Sequence, residues 1–68
     1  MKIRYFADTD TLYVELNDNP VDETREFSEN LFIDLDSSGK LVAITLEHAG
    51  RVTDMNEFSL HQVMGETA

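Results

Sequence analysis

The chain has 68 residues, no cysteine, and 14 acidic against 5 basic residues, which gives a formal net charge of -9 at pH 7. This length predicts one domain, residues 1–68, and the lack of cysteine excludes disulfides and thiolate metal sites. The acidity disfavours direct binding to nucleic acid or acidic lipid, because such binding depends on Lys and Arg. A core this small is only weakly stable, so we expect self-association, as a homodimer.

Two strands are predicted at the start of the chain. Polarity alternates along residues 2–6, KIRYF, and along residues 11–16, TLYVEL, as it does in half-buried strands. The intervening ADTD is typical of a turn, in which Asp8 and Asp10 can accept backbone N–H groups. We therefore expect a hairpin with a loop of about four residues.

The next predicted strand is an edge strand. Residues 17–20, NDNP, contain the only proline and interrupt the sheet. In residues 21–27, VDETREF, alternation places Glu23 and Arg25 on one face, which therefore cannot be deeply buried. The charges of such a strand discourage stray pairing.

The densest apolar block of the chain predicts a second hairpin, with strands at residues 31–36 and 41–48. Gly39 lies in the turn between them and can adopt a positive φ at little cost. Residues 41–46 are apolar on both faces, which indicates a strand in the middle of a sheet, covered on both sides. A helix on one face and a second subunit on the other would provide that cover.

A short helix is predicted at residues 54–64. Asp54 followed by Glu57 has the spacing of a capping box, although the box proper begins with Ser or Thr. The expected fold class is therefore α+β: an antiparallel β-meander of four to five strands with one short C-terminal helix packed on the sheet.

One stretch resembles the opening of a calcium-binding loop. Asp34, Asp36 and Ser38, followed by Gly39, match the ligand spacing of such a loop, but the required glutamate at its twelfth position is replaced by Thr45. The strands predicted on both sides also differ from the helices that flank such loops. An aspartate-rich hairpin turn is the favoured interpretation.

Other polar residues give no pattern of catalysis. Paired carboxylates need burial or a close like charge to shift their pKa usefully, and each histidine lacks a nearby nucleophile. We therefore expect no enzyme activity, no catalytic residue, no cofactor and no metal ion; a metal-dependent hydrolase is the least favoured alternative. The residues considered are Asp8, Asp10, Glu23, Glu26, His48 and His61.

Five residues are candidates for a protein interface. Leu41, Ala43 and Thr45 share one face of the doubly apolar strand, where a partner could cover them. Tyr5 and Tyr13 could face each other across the first hairpin, which is typical of cross-strand stabilisation, although exposed tyrosines are also frequent interface anchors.

The order of several motifs resembles a small bacterial family catalogued as domain of unknown function 2283. The resemblance covers about residues 1–51, with departures at Ala43, Thr45 and His48, where we expect glycine, glutamate and aspartate. The motifs that carry it are Tyr5, DTLYVEL at 10–16, ETRE at 23–26, IDLDSSGKLVAI at 33–44, and Ala49.

The resemblance implies no activity, but members are often encoded beside small toxin-like proteins. It thereby implies an antitoxin-like or other partner-binding role. The expected function is a small acidic protein-binding module with a basic protein partner, which acidity would attract; the alternative is a self-associating structural module without a heteropartner. No targeting segment or membrane span is apparent, so we expect a cytoplasmic protein.

Overall fold

The structure is a computed structural model of the chain and describes residues 1–55. It confirms the α+β class, with five antiparallel strands in one sheet and a short helix after the last strand. The elements are β1 (Lys2–Phe6), β2 (Thr11–Glu15), β3 (Glu23–Ser28), β4 (Leu31–Leu35), β5 (Leu41–Leu46) and α1 (Ala49–Val52).

The order of strands across the sheet is β1-β2-β5-β4-β3, and every neighbouring pair is antiparallel. The strands β3, β4 and β5 form a meander, and the β1–β2 hairpin joins it through the pairing of β2 with β5. The doubly apolar β5 lies in the middle of the sheet, and the charged β3 lies at an edge, as the sequence predicts. The strand β1 forms the other edge.

The described residues contain a short helix that the sequence does not predict. The segment predicted to be helical, residues 54–64, lies mostly outside the described residues, and residues 53–55 are not helical. The described helix α1 instead begins at Ala49, where the sequence indicates only the end of a strand. No helix in residues 1–55 is long and apolar enough to cross a membrane.

Strand register sorts the side chains onto two faces, which we call the apolar face and the mixed face. The apolar face carries Ile3, Tyr5, Leu12, Val14, Leu31, Ile33, Ile44 and Leu46. The mixed face carries Lys2, Arg4, Tyr13, Glu15, Phe32, Asp34, Ala43 and Thr45.

The expectation that the two tyrosines face each other is wrong. The register of the first hairpin pairs Tyr5 with Leu12 and Tyr13 with Arg4. The four-residue turn opposes odd-numbered to even-numbered residues, and successive side chains point to opposite faces. Tyr5 and Tyr13 therefore lie on opposite faces of the sheet.

Burial is concentrated in β5 and in the residues that adjoin it. Val42 is 3% exposed, Ala43 and Ala49 are fully buried, and Leu35 lies opposite Leu41 beyond a register shift between β4 and β5. The backbone N–H of Leu16 donates to the carbonyl of Val42 at 2.8 Å, so the pairing of β2 with β5 continues past the end of β2. The central strand is thus the best protected part of the sheet.

Enlarging the side chain at the centre of β5 should destabilise the fold. The substitution Ala43→Leu places extra carbons at a fully buried position, and overpacking of this kind costs roughly 1–3 kcal/mol. The matched control Ala7→Leu lies in the exposed β1–β2 turn and should change the free energy of unfolding by at most about 0.5 kcal/mol. Urea denaturation measures both; equal midpoints for the two variants would contradict the assigned burial.

Candidate functional site

The turn between β4 and β5 is organised by the carboxylate of Asp36. Its Oδ1 accepts the backbone N–H groups of Ser38 and Lys40 at 2.8 and 2.9 Å, and its Oδ2 accepts the side-chain amide of Asn19 at 3.0 Å. The hydrogen bond from the Lys40 backbone is the main cause that holds the pKa of Asp36 below its usual value. Asp36 is 9% exposed, so its charge is compensated mostly by N–H groups of this turn.

The other aspartate of the calcium-like motif has a different environment. Asp34 lies within β4, where its Oδ1 accepts the hydroxyl of Thr24 from the neighbouring β3 at 2.6 Å. The two aspartates therefore have separate hydrogen-bond partners. In the part of the chain that the structure describes, no three Asp, Glu or His side chains come together as metal ligands. This geometry fits the interpretation as a hairpin turn.

An open cleft of about 290 Å³ lies between the β2–β3 connection and the β4–β5 turn. Asn17 shapes the connection: its Nδ2 donates to the carbonyl of Leu41 at 3.0 Å, and its Oδ1 accepts the backbone N–H of Asn19. Sequence reasoning missed both asparagines, because NDNP signals only a break in the sheet. The cleft is lined by Asn19, Pro20, Val21, Asp22, Asp36, Ser37 and Ser38.

A second carboxylate joins the β1–β2 turn to α1. Both side-chain oxygens of Asp10 accept the backbone N–H of Gly50 at 3.0 Å, and Oδ1 also accepts the Tyr5 hydroxyl at 2.5 Å. The carbonyl of Asp10 accepts the N–H of Ala49 at 2.9 Å. Asp10 thus satisfies backbone donors at the start of α1, which explains why the helix begins directly after β5.

The hydrogen bond between Tyr5 and Asp10 shifts both pKa values. It is the main cause that lowers the pKa of Asp10, and the bond from Gly50 adds to it. The same hydrogen bond raises the pKa of the Tyr5 phenol, because loss of that proton would set two negative charges side by side. Tyr5 therefore has a structural role, although its side chain remains 40% exposed.

His48 is also held by a structural contact. Its Nδ1 lies 3.0 Å from Oδ1 of Asn30, and the Asn30 carbonyl accepts the N–H of Glu47 at 2.7 Å. His48 has a φ of 53°, in the left-handed region. These contacts tie the end of β5 to the β3–β4 turn and orient the imidazole toward an amide rather than a nucleophile. His61 lies outside the described residues.

The predicted interface residues are distributed unevenly. Ala43 is fully buried, Leu41 is half-buried beside the β4–β5 turn, and Tyr5 lies on the apolar face. Only Tyr13 and Thr45 are direct register partners on one face, the mixed face. Thr45 is also paired with Phe32 of β4, which the sequence analysis did not include. No exposed cluster unites all five residues.

The two edges of the sheet differ in charge. An ion pair within β3 joins Arg25 Nε to Glu23 Oε2 at 2.7 Å; it lowers the pKa of Glu23 and raises that of Arg25. The exposed carboxylates of Asp22, Glu26 and Glu29 have no such partner in residues 1–55. We call these three residues the acidic edge.

The opposite edge is basic and partly apolar. All five residues of β1 are exposed, and its two charged residues are Lys2 and Arg4. Ile3 and Phe6 are 42% and 44% exposed. We call β1 the basic edge. A single sheet thus has edges of opposite charge, a feature that the overall net charge conceals.

The left-handed turn residue Gly39 allows a direct test of the β4–β5 turn. Its φ is 81°, and a Cβ built on it meets no atom within 4 Å. Gly39→Ala should therefore cost about 1–2 kcal/mol through backbone strain alone, and Gly39→Asn clearly less, because Asn tolerates this conformation. Thermal and urea unfolding measure the series; equal stability of the Ala and Asn variants would contradict the strain explanation.

The lowered pKa of Asp36 predicts a loss of stability in acid. The folded state binds the proton of the Asp36 carboxyl less tightly than the unfolded state does. The ionised carboxylate therefore stabilises the fold above the unfolded pKa, and this stabilisation is lost as pH falls below about 4. Asp36→Asn should lower the melting temperature at pH 7 and make it less dependent on pH below 4. The control Asp8→Asn, at a side chain without a hydrogen bond in residues 1–55, should retain the wild-type profile. Identical acid profiles for wild type and Asp36→Asn would contradict the assignment.

Comparison with known proteins identifies a family without an assigned activity. A family model described as "Protein of unknown function (DUF2283)" matches residues 2–49. No curated protein and no solved structure gives a match. The matched region contains all five strands, the turn around Asp36 and the acceptor Asp10. Because the match covers well over half of the chain, this protein belongs to the DUF2283 family of proteins of unknown function.

Proposed function

We propose that the chain is a small acidic protein-binding module whose β3 edge pairs with an extended, basic segment of another protein. The observation that carries the proposal is the position of the acidic edge: Asp22, Glu26 and Glu29 lie on or beside the outermost strand, exposed and without an ion pair in the described residues. We infer binding rather than catalysis as the function.

The backbone of β3 supplies the first part of the binding surface. In the described part of the sheet, β3 pairs with β4 on one side only. An edge strand presents a row of unpaired N–H and C=O groups, and an extended peptide can add to such an edge as a further strand. Main-chain hydrogen bonds would then provide affinity without requiring a deep pocket.

Charge supplies the selectivity. The one basic residue of β3, Arg25, is occupied by Glu23, so the remaining carboxylates of the acidic edge give this side of the sheet a net negative potential. Lysine or arginine on a partner strand would be steered toward it and paired in place. An acidic segment would be repelled.

The specific form of this proposal is an antitoxin-like role, in which the partner is a small basic protein. The resemblance drawn from the sequence motifs suggests this role, and the charge at β3 supports it. A cytoplasmic location would suit such a pair. The basic partner distinguishes the proposal from a role in nucleic-acid binding, which the same charges oppose.

Neutralising the acidic edge should weaken partner binding, and an equal change of net charge elsewhere on the surface should not. The variant Glu26→Gln/Glu29→Gln removes two edge carboxylates. The control Asp8→Asn/Glu47→Gln removes two other exposed carboxylates, so both variants have the same net charge. The immobilised proteins would be incubated with extract of the source organism, captured proteins identified by mass spectrometry, and affinities measured by calorimetry.

A basic protein should be captured by wild type and by the control, and should be released by salt. Its affinity for the edge variant should fall about tenfold, because exposed ion pairs each change binding by up to a few-fold, and its affinity for the control should stay within about twofold of wild type. An equal loss in both variants would indicate a nonspecific charge effect and contradict the proposal. Capture of only acidic proteins would also contradict it.

A further inference from the structure

We infer that copies of this chain associate head to tail, with the basic edge β1 of one copy paired against the acidic β3 edge of the next. This inference concerns a second copy of the same chain and requires no other protein. It rests on the opposite charges of the two edges, on the faces that carry those charges, and on the directions of the two strands.

The composition of the exposed strand β1 protects it only partly from pairing with another strand. Its side chains alternate between apolar and basic, and Ile3 and Phe6 remain 42% and 44% exposed on opposite faces. Lys2 lies opposite Glu15 in the register, but the two form no ion pair. Arg4 lies opposite the uncharged Tyr13. Both cations are therefore available to an acceptor beyond the edge.

The matching carboxylates lie on the same face of the sheet. Lys2 and Arg4 are on the mixed face, and so are Glu26 and Asp34, since Glu26 pairs with Phe32 and Asp34 pairs with Ala43. On the apolar face of β3, by contrast, Glu23 is already neutralised by Arg25. Lys2, Arg4 and Glu26 are thus edge charges that lie on the mixed face without an ion pair among residues 1–55.

Strand direction allows these faces to meet. Four antiparallel steps separate β1 from β3, so the two strands run in the same direction. A copy displaced across the sheet by one sheet width would set its β1 parallel to β3 of the first copy, with mixed face continuing into mixed face. A register that places Lys2 beside Thr24 then places Arg4 beside Glu26. Parallel strands can form a regular ladder in this arrangement.

Two-fold pairing of identical edges is less favourable. Two copies of β1 would bring Lys2 and Arg4 near their own counterparts, and two copies of β3 would do the same with carboxylates. Like charges directly opposite each other destabilise paired strands. The head-to-tail contact avoids both arrangements. It leaves one free edge at each end, so association continues beyond a dimer unless the sheet closes into a ring.

Two variants that each disable one edge test the arrangement. Lys2→Gln/Arg4→Gln neutralises the basic edge, and Glu26→Gln/Glu29→Gln neutralises the acidic edge. Analytical ultracentrifugation at low salt should show that the average mass of wild type rises with concentration beyond that of a dimer, and that added salt lowers it. The association constant of each variant alone should fall by up to about fivefold, because the Arg4–Glu26 ion pair is lost and the attraction between the two edges is weakened.

An equimolar mixture of the two variants gives the decisive result. One intact acidic edge and one intact basic edge remain, so the mixture should form 1:1 dimers and nothing larger. If the variant with the neutralised acidic edge self-associates as strongly as wild type, the contact joins two copies of β1. If the variant with the neutralised basic edge does so, the contact joins two copies of β3. Either result, or a wild type that stays monomeric at millimolar concentration, would overturn the inference.

Two controls keep the result interpretable. Asp8→Asn/Glu47→Gln should self-associate as wild type does, and circular dichroism should show that every variant is folded. The basic-edge variant retains the acidic edge and should therefore still capture a basic heteropartner. Loss of self-association with capture retained separates this inference from the proposed function, and failure of capture alone would count only against the latter.

Discussion

The sheet depends on two carboxylates that fix the ends of its central strand. Before β5, Asp36 accepts N–H groups from its own turn and an amide from Asn19 in the β2–β3 connection. After β5, Asp10 accepts the N–H of Gly50 and the hydroxyl of Tyr5. Each carboxylate joins β5 to a segment that is distant in the chain. Because few side chains in residues 1–55 are fully buried, such polar contacts do much to determine a single arrangement of strands.

Once these two aspartates are assigned to the interior framework, the remaining charges have a simple distribution. The exposed carboxylates near β3 form the acidic edge, and the two charged residues of β1 are both cationic. Charged edge strands commonly prevent accidental pairing. Charge of one sign at each edge, however, prevents only pairing between like edges, because it attracts a strand of the opposite charge. Protection and recognition therefore follow from the same residues.

The sequence predicts those features that depend on local pattern. Alternation identifies the strands, the doubly apolar run at 41–46 identifies the centre of the sheet, and the charges around Arg25 identify an edge. It does not predict the start of α1, since the signal is a hydrogen bond from Gly50 to Asp10, forty residues away. The tyrosine pairing was wrong because the length of the turn, and not the alternation within each strand, fixes the register of the hairpin.

The candidate site was harder to predict for a related reason. The apolar positions Leu41 and Ala43 look available to a partner only if the neighbouring strands are ignored, and Ala43 is in fact fully buried between β2 and β4. The charges of the edges, in contrast, can be read from the sequence, but their significance depends on the strand order. Only when β1 and β3 are known to be outermost does the difference in their charges become a property of two opposed surfaces.

The two proposed contacts share β3, and this has a consequence for their combined behaviour. A heteropartner bound at the acidic edge would occupy the position that β1 of another copy requires, so the two contacts exclude each other on the same chain. Binding of a partner would then shorten head-to-tail assemblies, because a capped chain could join another copy only through its own β1, while dilution of the partner would let them grow. Because both contacts depend on unlike charges at an exposed edge, salt weakens both. Only the basic edge distinguishes them: self-association needs Lys2 and Arg4, and capture of a basic protein does not.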